Sequence, residues 1–247
     1  MQMLSRTSML PIPKRERRPS SSKIIFFSCE GPVTEEEYFK ILSEKIFADI
    51  SSKIYLISAR NDFLQIPQEE RTQEQVDEQN KSSPKYVLER LENFKKEKQN
   101  IYEFDKHPED EFWLVLDVDD HTQPGKINEF KTVLQQCNDK VIQYAVTNPF
   151  FEFWLYLHHF EIDKDDFEHA NRVGDDYFRK KMSDNGIVLT GNNHKIPKAS
   201  DYAKENVALA VTRAKELHTN QTERWPSELG SHVYRLIEKF FELLPEV

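Results

Sequence analysis

The sequence predicts an α/β fold, a doubly wound and mostly parallel sheet followed by a helical C-terminal extension, and three observations predict it. Short apolar runs alternate with amphipathic helical stretches four times between Lys23 and Phe160, the pattern of strands joined by crossover helices. One of these runs, Phe112-Trp113-Leu114-Val115-Leu116, is unbroken, as a strand covered on both faces requires. From Glu161 onward the composition turns charged with scattered aromatics, and apolar residues return only at helical spacing.

Taken in order, residues 1–22 carry Arg6, Lys14, Arg15, Arg17 and Arg18 with Pro11, Pro13, Pro19 and three serines, which predicts a disordered basic arm. Lys23–Ser28 is the first strand, closed by the turn Cys29-Glu30-Gly31-Pro32-Val33. Thr34 then reads as a helix N-cap, with Glu37 three residues on completing a capping box. Lys53–Ala59 is the second strand, and the polar stretch 65–83 reads as a mobile insertion. Pro84 opens a helix whose Val87, Leu88, Leu91 and Phe94 share one face. The acidic strand from Phe112 follows, then a helix over 126–137 and a fourth strand over 141–146. Asn148 and Pro149 have the form of an N-cap and a first helical residue for the apolar helix beginning at Phe150. Two later helices are expected over 202–217 and 231–244. The organisation read from this is a basic arm at 1–22, an α/β domain at 23–160 and a helical extension at 161–247 packed on the same domain.

Composition narrows the function. With 17 Phe, 9 Tyr and 3 Trp in 247 residues, the chain has a packed core. A net charge of −9 argues against a protein that coats nucleic acid, though not against an enzyme meeting phosphates through metal ions. Two cysteines, Cys29 and Cys137, give no zinc-finger or disulfide framework and suit a reducing compartment. No run reaches membrane-spanning length, so the expectation is a cytoplasmic protein.

The chemistry is expected at strand ends. Glu30 follows the first strand. The third ends in Asp117-Val118-Asp119-Asp120-His121, where Asp117 and Asp119 leave on one side. In open α/β sheets ligands bind at the carboxyl ends of strands, and carboxylates converging there attract hard cations such as Mg²⁺. The plain alternative is an Asp-rich turn. Glu152 stands alone as a carboxylate in an apolar helix, which is costly unless it is paired, hydrogen-bonded, protonated or bound to metal; an Arg partner is its structural explanation. His121, His158 and His159 are candidates for orienting a phosphate, with a core or surface place as the plain alternative for each.

Three blocks in this order, Glu30-Gly31-Pro32-Val33-Thr34-Glu35-Glu36-Glu37-Tyr38-Phe39, Leu116-Asp117-Val118-Asp119-Asp120-His121 and Asn148-Pro149-Phe150-Phe151-Glu152-Phe153-Trp154, resemble the RloB-like family of phage-defence and abortive-infection proteins. That family is regarded as a divergent Toprim-type domain related to the overcoming-lysogenization-defect nucleases. The resemblance implies a Toprim-like sheet and a phosphodiester-cleaving site using Mg²⁺ or Mn²⁺. It implies Glu30, Asp117, Asp119 and Glu152 as catalytic acids, with Glu35 joining them as metal ligands. The spacing from Glu30 to Glu35 is one residue longer than is usual in the related nucleases. The resemblance also implies a DNA or RNA substrate, met by His121 and His158, and an ATPase partner. No Gly-rich Walker loop occurs, so the chain is not expected to hydrolyse ATP itself. The competing expectations are a catalytically silent Toprim-like module that docks an ATPase and senses phage components, and a phosphoacceptor sheet, for which only Thr147 half-fits.

Overall fold

The computed structural model describes residues 23–58, 83–118, 125–170, 176–191, 195–220 and 222–245. The expected basic arm, most of the polar insertion, and Asp119, Asp120 and His121 lie outside the described residues. The fold is α/β, as the sequence predicts: a five-stranded sheet of order β2-β1-β3-β4-β5, parallel except for its last strand. Its strands are β1 (Ile25–Cys29), β2 (Ile54–Leu56), β3 (Glu111–Asp117), β4 (Gln143–Asn148) and the two-residue β5 (Gly230–Ser231). The helices are α1 (Thr34–Ile41), α2 (Pro84–Tyr102), α3 (Ile127–Asp139), α4 (Phe151–Tyr156), α5 (Lys164–Ala170), α6 (Asp176–Asp184), α7 (Lys204–Leu217) and α8 (Val233–Glu242).

Helices cover both faces because β1 and β3 are apolar on both. Phe26, Leu114 and Val146 face a core with Val87 and Leu91 of α2 and Phe130 of α3. Phe27, Trp113 and Val115 face the other core, with Phe39 of α1, Trp154 of α4, Val207 of α7 and Phe240 of α8. The C-terminal helices therefore share a core with the sheet. Each such large side chain, fully buried, contributes roughly 1.5–3 kcal/mol. No described helix is long and apolar enough to cross a membrane. Cys29 and Cys137 are separate buried thiols, and burial pushes both thiols upward in pKa.

Several expected boundaries move. Thr34 does not cap α1: the N-cap position is Val33, and its side chain makes no capping bond. Glu35 instead reaches back from the first turn, its Oε1 accepting the Gly31 N–H at 2.8 Å. Asn148 is not a helix cap either. It ends β4 and donates through Nδ2 to the Pro226 carbonyl at 2.9 Å. The Asn148–Pro149 peptide is cis, and Phe150 takes the N-cap position of α4. The fourth strand starts two residues later than expected because Val141 sits in the preceding turn at φ 57, 77 % exposed.

Candidate acidic site at the carboxyl ends of the strands

β1 and β3 are parallel neighbours, with Cys29 opposite Val115, so the residues following them emerge side by side. The Glu30 N–H continues the ladder by donating to the Val115 carbonyl at 2.9 Å. The Glu30 carboxylate reaches back across the gap, where its Oε2 accepts the Asp117 N–H at 3.2 Å. The Phe151 backbone N–H at the start of α4 acts on Asp117 to favour its charged form.

Four acids from the end of β3 and the segments that follow β1 and β4 thus share one electrostatic environment. Burial comes first in raising the Asp117 carboxyl well above the usual carboxylate range, and the charges of Glu35, Glu30 and Glu152 add to it. Glu35 is raised to about 8, again by burial first and then by Glu152, against the lowering effect of its own and the Gly31 backbone N–H groups. Asp117 Oδ1 is sealed from solvent and accepts no hydrogen bond. An orphaned carboxylate oxygen beside three other acids is an arrangement that a cation relieves.

All-oxygen donors of this kind fit a hard divalent cation. As placed, no group of three His, Cys, Asp or Glu side chains among the described residues stands at metal-holding spacing. Asp119, the other half of the expected Asp-x-Asp pair, is outside those residues.

A Cβ at Gly31 would lie 1.9 Å from Glu35 Oε2, so the Glu35 carboxylate keeps its place only beside glycine. Gly31→Ala is expected to push the Glu35 carboxylate out of the cluster. Its hydrogen bond to the Gly31 N–H would be lost at a cost of about 1–3 kcal/mol. Urea denaturation against the parent measures this, and a wild-type midpoint would contradict the packing.

Two cations flank the acids, and sequence reasoning passed over both. Arg179 of α6 lies 3.7 Å from Glu152 Oε1, supplying in loose form the partner that the plain reading of Glu152 requires. Arg90 of α2 donates to Ser28 Oγ at 3.1 Å and to the Cys29 carbonyl at 3.0 Å, fixing the end of β1. Burial lowers its guanidinium pKa, and Glu36 and Glu30 work against that. Glu36 is buried and accepts from Ser58 Oγ at 2.6 Å. In sequence both arginines fall among solvated helix charges, and only the buried neighbours Leu88 and Leu91 mark Arg90 as lying at the edge of a packed face.

His158 does not join the site. It is fully buried; Nδ1–H donates to the Trp154 carbonyl at 2.9 Å, and Nε2 takes the Tyr38 O–H at 3.0 Å. Neither ring nitrogen is left for a substrate, and burial lowers its pKa to about 3. His159 is half-buried, packed near Tyr202.

These opposite shifts set a pH dependence. Glu35 favours the fold fully below its ordinary value of 4.5, and that contribution is lost as pH rises through about 8. His158 contributes stability that is complete above 6.5 and lost as pH falls toward about 3. The metal-free protein should therefore melt higher at pH 7 than at pH 8.5, whereas below pH 6.5 the gain from Glu35 and the loss from His158 oppose each other. Calorimetric scans in chelator across that range test this, and a melting point that climbs from pH 7 to 8.5 would contradict it.

Fold and acids together define an α/β protein with a carboxylate cluster where its parallel strands end. The RloB-like protein family matches residues 25–240, and the chain belongs to that family. No curated protein and no solved structure matches the chain.

Proposed function

We propose that this protein is a divalent-metal-dependent nuclease of Toprim-like type, acting in the bacterial cytoplasm as an antiviral effector beside an ATPase partner. The observation that carries the reading is Asp117: a carboxylate with one oxygen sealed and unbonded, raised in pKa by burial and by Glu35, Glu30 and Glu152. Family membership supports the same direction, and the defence role and the ATPase rest on that resemblance alone.

Glu30, Asp117 and Glu152 would hold Mg²⁺ or Mn²⁺, with Asp119, two residues past the end of β3 in the sequence, completing the set. When bound, the cation supplies a water of lowered pKa and neutralises charge on the scissile phosphate. Glu30 has a second task, since its carboxylate accepts the Asp117 N–H and so sets the strand end. Glu35, raised to about 8, holds its proton at neutral pH while no cation is present and limits the repulsion within the cluster. Arg90 holds the end of β1 in place, and Arg179 balances Glu152 from the far side.

The test is cleavage of labelled single-stranded DNA, duplex DNA and transfer RNA by the full chain with Mn²⁺, Mg²⁺ or chelator, with and without the neighbouring ATPase. Cleavage in metal that chelator abolishes is expected. If no substrate is cut in any combination, the protein is instead the silent docking module.

A further inference from the structure

A recess of about 490 Å³ opens beside β5, well within the roughly 300–1,000 Å³ of small-molecule sites. Its floor includes Ser231, whose Oγ is hydrogen-bonded to Thr147 Oγ1 at 2.9 Å. Thr147 is in turn the register partner of Asp117 on β3. Ser231 pairs with Thr147 and Thr147 with Asp117, so the Ser231 backbone, on the wall of the recess, lies two strand spacings, about 10 Å, from that of Asp117.

The lining is unusual in one respect. His232 is fully buried, yet neither of its ring nitrogens has a hydrogen-bond partner. Its ring centroid is 4.5 Å from that of His218, and His218 Nδ1 is held by the Tyr234 hydroxyl at 2.7 Å. Burial lowers both imidazoles in pKa, His232 to about 3, so both are neutral at physiological pH. A neutral imidazole offers one donor and one acceptor. Phe167 stands at the mouth with 41 % of its surface exposed, an open aromatic face. The rim carries Glu216, Glu223 and Glu228, which repel a phosphate but not a neutral heterocycle.

We infer that this recess takes one unpaired nucleobase of the strand whose phosphate lies at the acid cluster. Phe167 stacks on the base, the His232 ring, sealed as it stands, turns to offer a nitrogen to the polar edge, and the acidic rim keeps the phosphates outside. About 10 Å matches the reach from a phosphate to the base of its own or the adjoining nucleotide. This rests on the nuclease reading for its biological meaning, and it names the substrate as single-stranded or extrahelical at that position.

The experiment titrates adenosine, guanosine, cytidine and uridine, which carry no phosphate, into the metal-free full chain, with histidine ring resonances as the readout. At least one nucleoside should bind saturably and move the His232 and His218 signals. Phe167→Ala should weaken it about tenfold, within the range for loss of a base–aromatic stack. Thr219→Trp, an exposed rim change that plugs the mouth, should abolish binding, and Asp117→Asn should leave it unchanged. Saturation by none of the four below about 10 mM, or equal binding by parent, Phe167→Ala and Thr219→Trp, overturns the assignment. So does capture of Zn²⁺ by the histidine pair with no nucleoside effect. Nucleoside binding in a chain that cuts no phosphodiester would sink the nuclease reading and leave the pocket standing; cleavage without nucleoside binding does the reverse.

Discussion

Asp117→Asn should abolish metal-dependent cleavage while raising the melting temperature of the metal-free protein. The amide keeps the shape of the carboxylate. What disappears is a negative charge held against Glu30 and Glu152. Activity should fall by at least about 10²–10³-fold, the size of loss when one charge-stabilising group leaves a site. Relief of repulsion should return about 1–2 kcal/mol, or roughly 2–8 °C in a chain of this size. The two readouts move in opposite directions, which a structural acid cannot imitate. Scanning calorimetry in chelator together with the cleavage assay separates the cases, and a lower melting temperature would assign Asp117 to structure.

Glu152→Gln is the second large effect, and the more discriminating one. Glu152 lies between the acids, whose protonation it favours, and Arg179 at 3.7 Å. That separation is long for a hydrogen bond, so the ion pair is loose. Losing it costs about 1 kcal/mol, and relief of repulsion with Asp117 offsets a similar amount. Metal-free melting should stay near the parent while cleavage and Mn²⁺ affinity fall. Were the pair with Arg179 the purpose of Glu152, the same variant would lose about 3–5 kcal/mol and keep its metal affinity. Parallel thermal and Mn²⁺ titrations of one variant decide between these.

The sheet was legible because its central strands leave no choice. Phe112 to Leu116 is too short and too apolar for a surface helix, and the runs before and after it alternate with amphipathic helices. Strand-end acids were legible for the same reason: an apolar run that stops at Asp117, or at Glu30, marks the carboxyl edge. The errors are local and physical. Thr34 and Asn148 have capping chemistry, but the backbone enters each helix one or two residues away from where that chemistry points. The antiparallel β5 is two residues long, below any period that a sequence can display. His158 was open to a better reading, since it follows Trp154 by four residues, in the turn that closes a helix buried all round, which places it in the core. Arg90 and Arg179 gave no signal, because a charge on a helix edge looks alike whether it faces water or a carboxylate.

The most direct measurement is calorimetric titration of the metal-free full chain with Mn²⁺ at pH 7, run beside Asp117→Asn. The carboxylate cluster predicts saturable binding by the parent, accompanied by a rise in melting temperature, and binding at least about tenfold weaker in the variant, a difference of about 1.4 kcal/mol. Absence of saturable Mn²⁺ binding by the parent, or equal binding by the two proteins, would contradict a metal site at the ends of these strands.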